Sequence, residues 1–492
     1  MLEEYSTSST PYDFTIESVI ITADRWEFAL EGIDIKNVCA EINLFEHLDK
    51  PYLTANLTFL DNANIGDNYQ FTGTERVQIT LISSDERDDA GKNTIVKRFI
   101  VDTVVNAAKS NDSNELVVLH LVEERYYQSC LMSVNKVFKK VESRGGFNEG
   151  GFTSSATEII QSLLRELDQY TSFNGDYYMS NELMHNKEFP PEFDGALKVC
   201  IPNLGVLDAV KWMCDRCVTP TGFPFYIYAT MADDKIRFLD LDSMLNAATL
   251  NNKNSGLMPY TYSQALMHKA NTLPPAAKSF IISNYQNIGG NSQHSLNQKG
   301  MGPATFNFID TFRGTIHVKK HNPGDTFRRA FGVGILKDDD VPVYDDKAEF
   351  GGRNIDDYSA RTITNITTSK SQSSSKLGID DQNRNYNEVL YTNSHNIKIT
   401  AKAYRNYLHK SSIAIEVPGR NFISKDNNIS IGNRILVEFR KNENDTNAYG
   451  AELDIKKSGE YLIYSARHSF SPGGDGAMIS NLQLVKLAHR KR

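Results

Sequence analysis

Three groupings in the chain have residue types and spacings that could do chemistry. Cys214-Asp215-Arg216-Cys217 is a C-x-x-C, the spacing of half a zinc site or of a redox dithiol. A structural zinc needs four ligands, and the sequence holds no second C-x-x-C. A redox motif would follow a strand and open a helix, whereas this pair falls towards a helix end. Packing on an apolar helix face is therefore the expectation for both thiols. Glu46 and His47 are an acid and a base side by side, but neighbours on a strand point to opposite faces. The clusters Asp338-Asp339-Asp340, Asp345-Asp346 and Asp356-Asp357 could attract a cation. Their spacing does not match a twelve-residue calcium loop, so a solvated acidic loop is expected. No G-x-S-x-G, H-E-x-x-H or phosphate-binding G-x-x-x-x-G-K-[ST] is present. The expectation is a protein with no catalytic residues, no metal and no cofactor. A glycosidase is the alternative, because it needs only two carboxylates.

The totals narrow the class. The 492 residues allow roughly three or four domains of about 100–200 residues. No apolar run of about 18 residues marks a membrane span, so no membrane insertion is expected. The first residues, MLEEYSTSSTPYDF, lack the basic and apolar regions of a signal peptide. A protein made and kept in the cytosol, or leaving it by a route other than secretion, is expected. A net charge of −8 argues against a nucleic-acid binder. Five cysteines at irregular spacing (Cys39, Cys130, Cys200, Cys214, Cys217) suggest reduced thiols.

The elements that would position any site are mostly strands. From Glu41 to Ser83 the sequence predicts a meander. Ile42 to Phe45 forms one strand. Leu53, Ala55, Leu57 and Phe59 then alternate with Thr54, Asn56 and Thr58, a period of two with one apolar face. Gly73 opens a third strand, with Val77, Ile79 and Leu81 on one side. Residues 12–35 predict a hairpin, 84–93 an exposed loop, and 98–105 with 115–122 a further hairpin. Leu116–Val122 is apolar enough to suggest cover on both faces. Residues 1–125 are thus expected to be one all-β unit of about seven strands over 12–125, a barrel or a sandwich.

Residues 126–275 predict an inserted α+β domain. Ser155 and Glu158 have capping-box spacing. Ala156, Ile159, Ile160, Leu163, Leu164 and Leu167 trace a helix face. A second helix is expected over 206–217, then strands at 225–229 and 236–239. Residues 276–395 read as a loop-rich second insertion, with 320–390 the least patterned part. Residues 396–492 are expected to be a second barrel. There Ile397, Ile399, Ala401 and Ala403 alternate with polar residues, followed by strands near 412–417, 434–439, 461–465 and 478–487. The fold class expected is α+β, mainly β: two antiparallel β-barrels with inserted α+β domains.

The two ends of the chain echo each other. Gly73 to Leu121 spans 48 positions and contains a glycine-led strand, a polar loop, a strand, a hairpin loop and a closing strand. Gly432 to Leu484 spans 52 and repeats that order. Three chains of this kind would present six similar units in a ring.

The order of these pieces resembles the baseplate hub proteins of T4-like contractile phages. It is also similar to the hub part of type VI secretion spike proteins. Glu46 and Pro51, running into Leu53-Thr54-Ala55-Asn56-Leu57-Thr58-Phe59-Leu60-Asp61, resemble the family's acidic residue, proline and L-T-G-x-I-x-I-x-D pattern, with Ala55 in place of glycine. Gly73-Thr74-Glu75 fits its G-x-E opening. Trp212 and the aromatic strand ending at Tyr228 resemble its insert domain. Gly432, Gly459, Tyr461 and His468 lie in stretches resembling its closing strands. The resemblance implies tube-protein-like barrels and a homotrimeric ring in the virion's tail baseplate. It implies tail tube protein, central spike protein and other baseplate subunits as partners. DNA would pass through without specific binding. A hub of a secretion or tailocin particle is the related alternative, and a tail-associated cell-wall hydrolase is the alternative from another class.

Overall fold

The fold is seen in a computed structural model. It describes residues 14–490 except 27–30, 63–64, 84–93, 112–113, 140–155, 169–197, 216–217, 220, 252–256, 269–272, 274, 291, 311–314, 368–398, 424–428, 442–452 and 473–476. The protein is α+β and mainly β, as its strand periodicity predicts. Among the described residues its centre is one 13-stranded sheet. Residues 14–123 supply one half of it, and strands from 260–289 and 411–485 supply the other. Among the described residues no strand pair closes either half into a barrel; the halves join edge to edge instead.

The apolar faces lie where the alternation places them. Leu53, Ala55, Leu57 and Phe59 are fully buried, as are Val77, Ile79 and Leu81. The neighbours differ from a simple meander. Thr54–Asp61 pairs with Cys39–His47 on one side and with Asn114–Glu123 on the other. Arg76–Ser83 crosses away through a short helix, Ile65–Tyr69, and pairs with Phe14–Thr22 and Thr94–Asn111. In the Asn114–Glu123 strand, Val117, Leu119 and Leu121 are buried while Leu116 and Val118 are only half-buried. On that second face only Val122, at the end of the strand, is buried.

The insert has its own core. Ile159, Ile160, Leu163, Leu164 and Leu167 of the helix Ala156–Asp168 pack with Leu207, Val210, Met213 and Cys214 of the helix Val206–Cys214. Phe225, Ile227 and Phe238 of the hairpin Phe225–Ala229/Ile236–Asp240 complete it. Cys214 is buried there as expected of a packing thiol; Cys217 and Ser155 lie outside the described residues.

Two stretches depart from the sequence expectation. Residues 399–408 are helical, not a strand. The alternation there is short and rests partly on Ala401 and Ala403, which are strong helix formers. Thr400, Ala403, Tyr404, Tyr407 and Leu408 are all buried, a helical spacing. Tyr404 stacks on Phe223 at 4.5 Å between ring centroids, and Tyr407 on Phe327 at 5.0 Å. Residues 315–367 are also more ordered than their acidic clusters suggest. A helix Pro323–Gly332, with proline in its first turn, buries Phe327 and Ala330. A three-stranded sheet joins Thr315–His321, Ala304–Asp310 and Arg361–Thr367.

The internal echo is a repeat at the level of hydrogen-bond register. Arg76–Ser83, Thr94–Asn111 and Asn114–Glu123 form one antiparallel trio; Arg434–Phe439, Gly459–Ser471 and Ala477–Val485 form the other. Val77 lies opposite Phe99 as Ile435 lies opposite Tyr461. Val101 lies opposite Leu121 as Ile463 lies opposite Leu484. Each middle strand has a bulge at the same step, between Val101 and Thr103 and between Ile463 and Ser465. The opening turns match as well. Thr72 N and Oγ1 donate to Glu75 Oε1 at 2.7 and 3.2 Å; Ser430 N and Oγ donate to Asn433 Oδ1 at 2.9 and 3.1 Å. The alignment of Leu121 with Leu484 therefore holds. The glycines are one step out of register: Gly73 matches Ile431, and Gly432 matches Thr74. Both have positive φ, +89° and +81°, at different steps of the turn.

Candidate functional site

The candidate site is the seam where the two half-sheets join. Gly459–Ser471 makes it by changing partner along one edge. Its residues up to Leu462 pair with Arg434–Val437 of its own half. From Ser465 to Phe470 it pairs with Ile42–His47 of the other half. The bulged residue between the two stretches is Tyr464, whose carbonyl accepts from Leu48 N at 3.0 Å. The bulge lets one strand leave one neighbour and take another without a break in the ladder.

Glu46 and His468 meet diagonally across this seam. Glu46 Oε2 lies 3.6 Å from His468 Nε2, and both side chains are fully buried. Glu46 Oε1 accepts from Met231 N of the insert, and His468 Nδ1 contacts Ser480 Oγ at 2.8 Å. Neither Glu46 Oε2 nor His468 Nε2 has a hydrogen-bond partner, so each is held by the other's charge or dipole. The pair spans the two half-sheets at this point of the seam. Enclosed as it is, it has no route to a substrate.

A second cluster gathers at the turn after the Cys39–His47 strand. Arg405, on the 399–408 helix, lies 3.2 Å from Asp49 and 3.1 Å from Asp215, donates to the Phe225 carbonyl, and stacks 4.6 Å over Tyr226. Tyr464 Oη donates to Asp49, and Lys211 Nζ donates to the Asp49 carbonyl at 2.6 Å. Burial works to raise the Asp49 pKa, but the Arg405 guanidinium, the Tyr464 hydroxyl and Lys211 hold it below the usual carboxylate range. Burial holds His47 and His409 below the usual histidine value. His47 Nδ1 accepts from Asp49 N at 3.1 Å, as a neutral imidazole does.

The insert hairpin clamps the seam from both sides. Lys97 of the first half is buried against its tip and donates to Thr230 O, Asp233 O and Asp234 Oδ1 at 3.3, 2.6 and 2.7 Å. Arg125 donates to Asp234 O at 2.7 Å and pairs with Glu123. Tyr228 reaches the second half, where a Cβ at Gly432 would sit 2.3 Å from its hydroxyl.

Of the residues singled out by resemblance, Glu46, Pro51, Tyr228, Gly432 and His468 gather at or beside the seam. The others hold turns and strand ends. Leu53 N donates to Glu123 Oε2 at 2.8 Å. Asp61 accepts from Ile65 N and Gly66 N, both at 2.8 Å. Gly73 N donates to Glu75 Oε2 at 3.0 Å. Gly459 has φ +138°, and the hydroxyl of Tyr461 donates to Lys457 O at 2.5 Å. Trp212 packs half-buried against the insert core. Sequence reasoning missed Asp49, Arg405, Tyr464, Lys97 and Arg125. Only the position of Asp49, two residues before the singled-out Pro51, carried any signal. Among the described residues no group of three or more metal-ligating side chains converges.

No protein-family model matches the chain, and no curated protein matches it in sequence. Solved structures align along nearly its whole length at low identity. One is a tail protein from Neisseria meningitidis, 9% identical, covering 96% of this chain and 97% of that one, TM-score 0.46. Another is a 43 kDa prophage tail protein from Shewanella oneidensis, 9% identical, covering 95% and 98%, TM-score 0.40. A third is the Francisella PdpA–VgrG complex, 10% identical, covering 99% of this chain and 60% of that one, TM-score 0.43.

Proposed function

We propose that the chain is the structural hub of a contractile-tail baseplate, a homotrimeric ring that adapts the sixfold tail tube to the threefold central spike. The observation that carries this reading is the register-level repeat. One chain holds two equivalent half-sheets joined edge to edge, and among the described residues the joined sheet runs from Asn284–Gly289 at one end to Ile33–Asp34 at the other. A head-to-tail array of such units either closes into a ring or runs on as a filament. Closure with three chains presents six like half-sheets to a sixfold tube and only three inserts to a threefold spike. One ring face meets the tail tube protein; the other meets the spike and further baseplate subunits in the virion. The net charge of −8 suits a channel through which DNA slides without being held.

Light scattering with negative-stain imaging of the same fraction tests it. The expected mass is about 166 kDa, three times the 55.3 kDa chain, with a central hole in the particle. A monomer at every concentration, or clearing of peptidoglycan by the purified protein, would overturn the reading.

A further inference from the structure

A cleft of about 280 Å³ lies where the start of Gly459–Ser471 meets the last residues of the chain. Arg434 and Gly459 to Leu462 line it from the half-sheet, and residues 334–337 line it from the turn after the helix Pro323–Gly332. Lys486 and Arg490 line another side, where Ala488–Arg490 pairs antiparallel with Asp340–Pro342. A Cβ on Gly334 or Gly459 would meet nothing within 4 Å among the described residues, so the walls are unpacked at both points.

Lys486 stands out among the lining residues. It is 5% exposed, and of the three donors on its ammonium only one hydrogen bond is made, from Nζ to Lys456 O at 3.0 Å. Nζ also sits 4.4 Å over the Tyr461 ring. Among the described residues no carboxylate comes within ion-pairing distance of it. Asp340 and Asp454 act on it from further off. Asp340 accepts from Lys337 N at 2.8 Å, and Asp454 lies 3.9 Å from Lys457. Glu460, also on the cleft wall, is engaged by Arg434 and Thr249. His489 shares the Lys456 carbonyl, at 3.1 Å. Burial lowers the Lys486 pKa from 10.5 to about 8. A buried ammonium without a counter-ion is costly, and an anion in the cleft would offset that cost.

We propose that this cleft binds a small organic dianion of the dicarboxylate class, with one carboxylate on Lys486 Nζ and the other facing Lys337 and Arg490. The last two line the same cleft, are exposed, and have no ion-pair partner among the described residues. Lys337, Arg434, Lys486 and Arg490 outnumber Asp340 and Glu460 by two, the charge of such a ligand. The cations are divided between a buried floor and an exposed mouth, which favours an elongated dianion over a compact one. The site goes beyond the hub reading and does not depend on the ring.

Titration calorimetry of the full chain with succinate at low salt and pH 7 tests it. Saturable binding of one succinate per chain is expected, with propionate about tenfold weaker. Lys486→Met keeps the packing stem and should lower succinate affinity about tenfold with an unchanged circular dichroism spectrum. Lys337→Ser with Arg490→Ser should lower it about threefold. Wild-type affinity should fall about tenfold between pH 7 and pH 9, as Lys486 loses its proton. A further readout needs no variant. Succinate should slow acetylation of Lys486 about threefold, read by peptide mass spectrometry, and sodium chloride of equal ionic strength should not. No saturable succinate binding, undiminished binding by a folded Lys486→Met variant, or equal protection by sodium chloride would each overturn the site. Inorganic phosphate binding more tightly than succinate would overturn the dicarboxylate class.

Discussion

Arg405→Met is the most informative single change at the seam. Methionine keeps much of the stem's volume and removes the guanidinium. The variant leaves Asp49 without its cation, Phe225 O without a donor and Tyr226 without the stacked charge. Breaking a buried ion pair from one side costs about 3–5 kcal/mol. Arg405 and Asp49 keep 23% and 25% of their side-chain surface exposed, which places the cost at the lower end, about 3 kcal/mol at pH 7. The sign of the pH dependence follows from Asp49. Its folded pKa is depressed, so its contribution is present above the ordinary carboxylate pKa and is lost as pH falls through the lower folded value. Without Arg405, burial dominates and Asp49 takes up a proton more readily in the folded state. The deficit of the variant should therefore be largest at pH 7 and shrink towards pH 4. Urea titrations followed by circular dichroism at both pH values measure this, with an unchanged m-value confirming the same unfolding reaction. A deficit under about 1 kcal/mol at pH 7, or an equal deficit at both pH values, would refute the reasoning.

Gly432→Ala forces an alanine to φ +81° and sets its Cβ against the Tyr228 hydroxyl, so a loss of about 2 kcal/mol or more is expected in thermal melts. Adding Tyr228→Phe should recover part of the steric cost and none of the backbone strain, since the ring Cζ stays 2.8 Å from the added Cβ. Glu75→Ala removes the acceptor for Thr72 N, Gly73 N, Thr74 N and Arg25, and should cost about 3 kcal/mol. Asn433→Ala, which removes the equivalent but uncharged cap, should cost about 1 kcal/mol by the same denaturant assay. Burial lowers the His321 pKa from 6.5 to about 4, so its contribution is present above pH 6.5 and is lost as pH falls towards 4. His321→Gln should flatten stability over that window, read as melting temperature against pH.

Much of the first half was legible in the chain. Alternation at Leu53–Phe59 and Val77–Leu81 reported the buried faces, because side chains on a strand alternate whatever the neighbour is. The helix at 156–168 was legible from its apolar spacing, and so was the packing role of Cys214. The echo could be aligned at Leu121 and Leu484, although its glycines misled by one position. At 399–408 the local pattern failed, because the aromatic contacts that make it a helix come from Phe223 and Phe327, far away in the chain. Glu46 and His468 were each singled out, yet nothing joined them into a pair, and Arg405 was not singled out at all.

The residues alone carry the apolar face of the Thr54–Asp61 and Arg76–Ser83 strands and the repeat between the two ends of the chain. Which edges meet is settled in the folded chain: Gly459–Ser471 changes partner at Tyr464, two half-sheets fuse into one, and Asp49 finds Arg405 356 residues later. The reason is physical. A strand's faces are written in its side chains, but its edges are backbone N–H and C=O groups, nearly the same for every residue. Their partners are chosen by the packing of the whole chain.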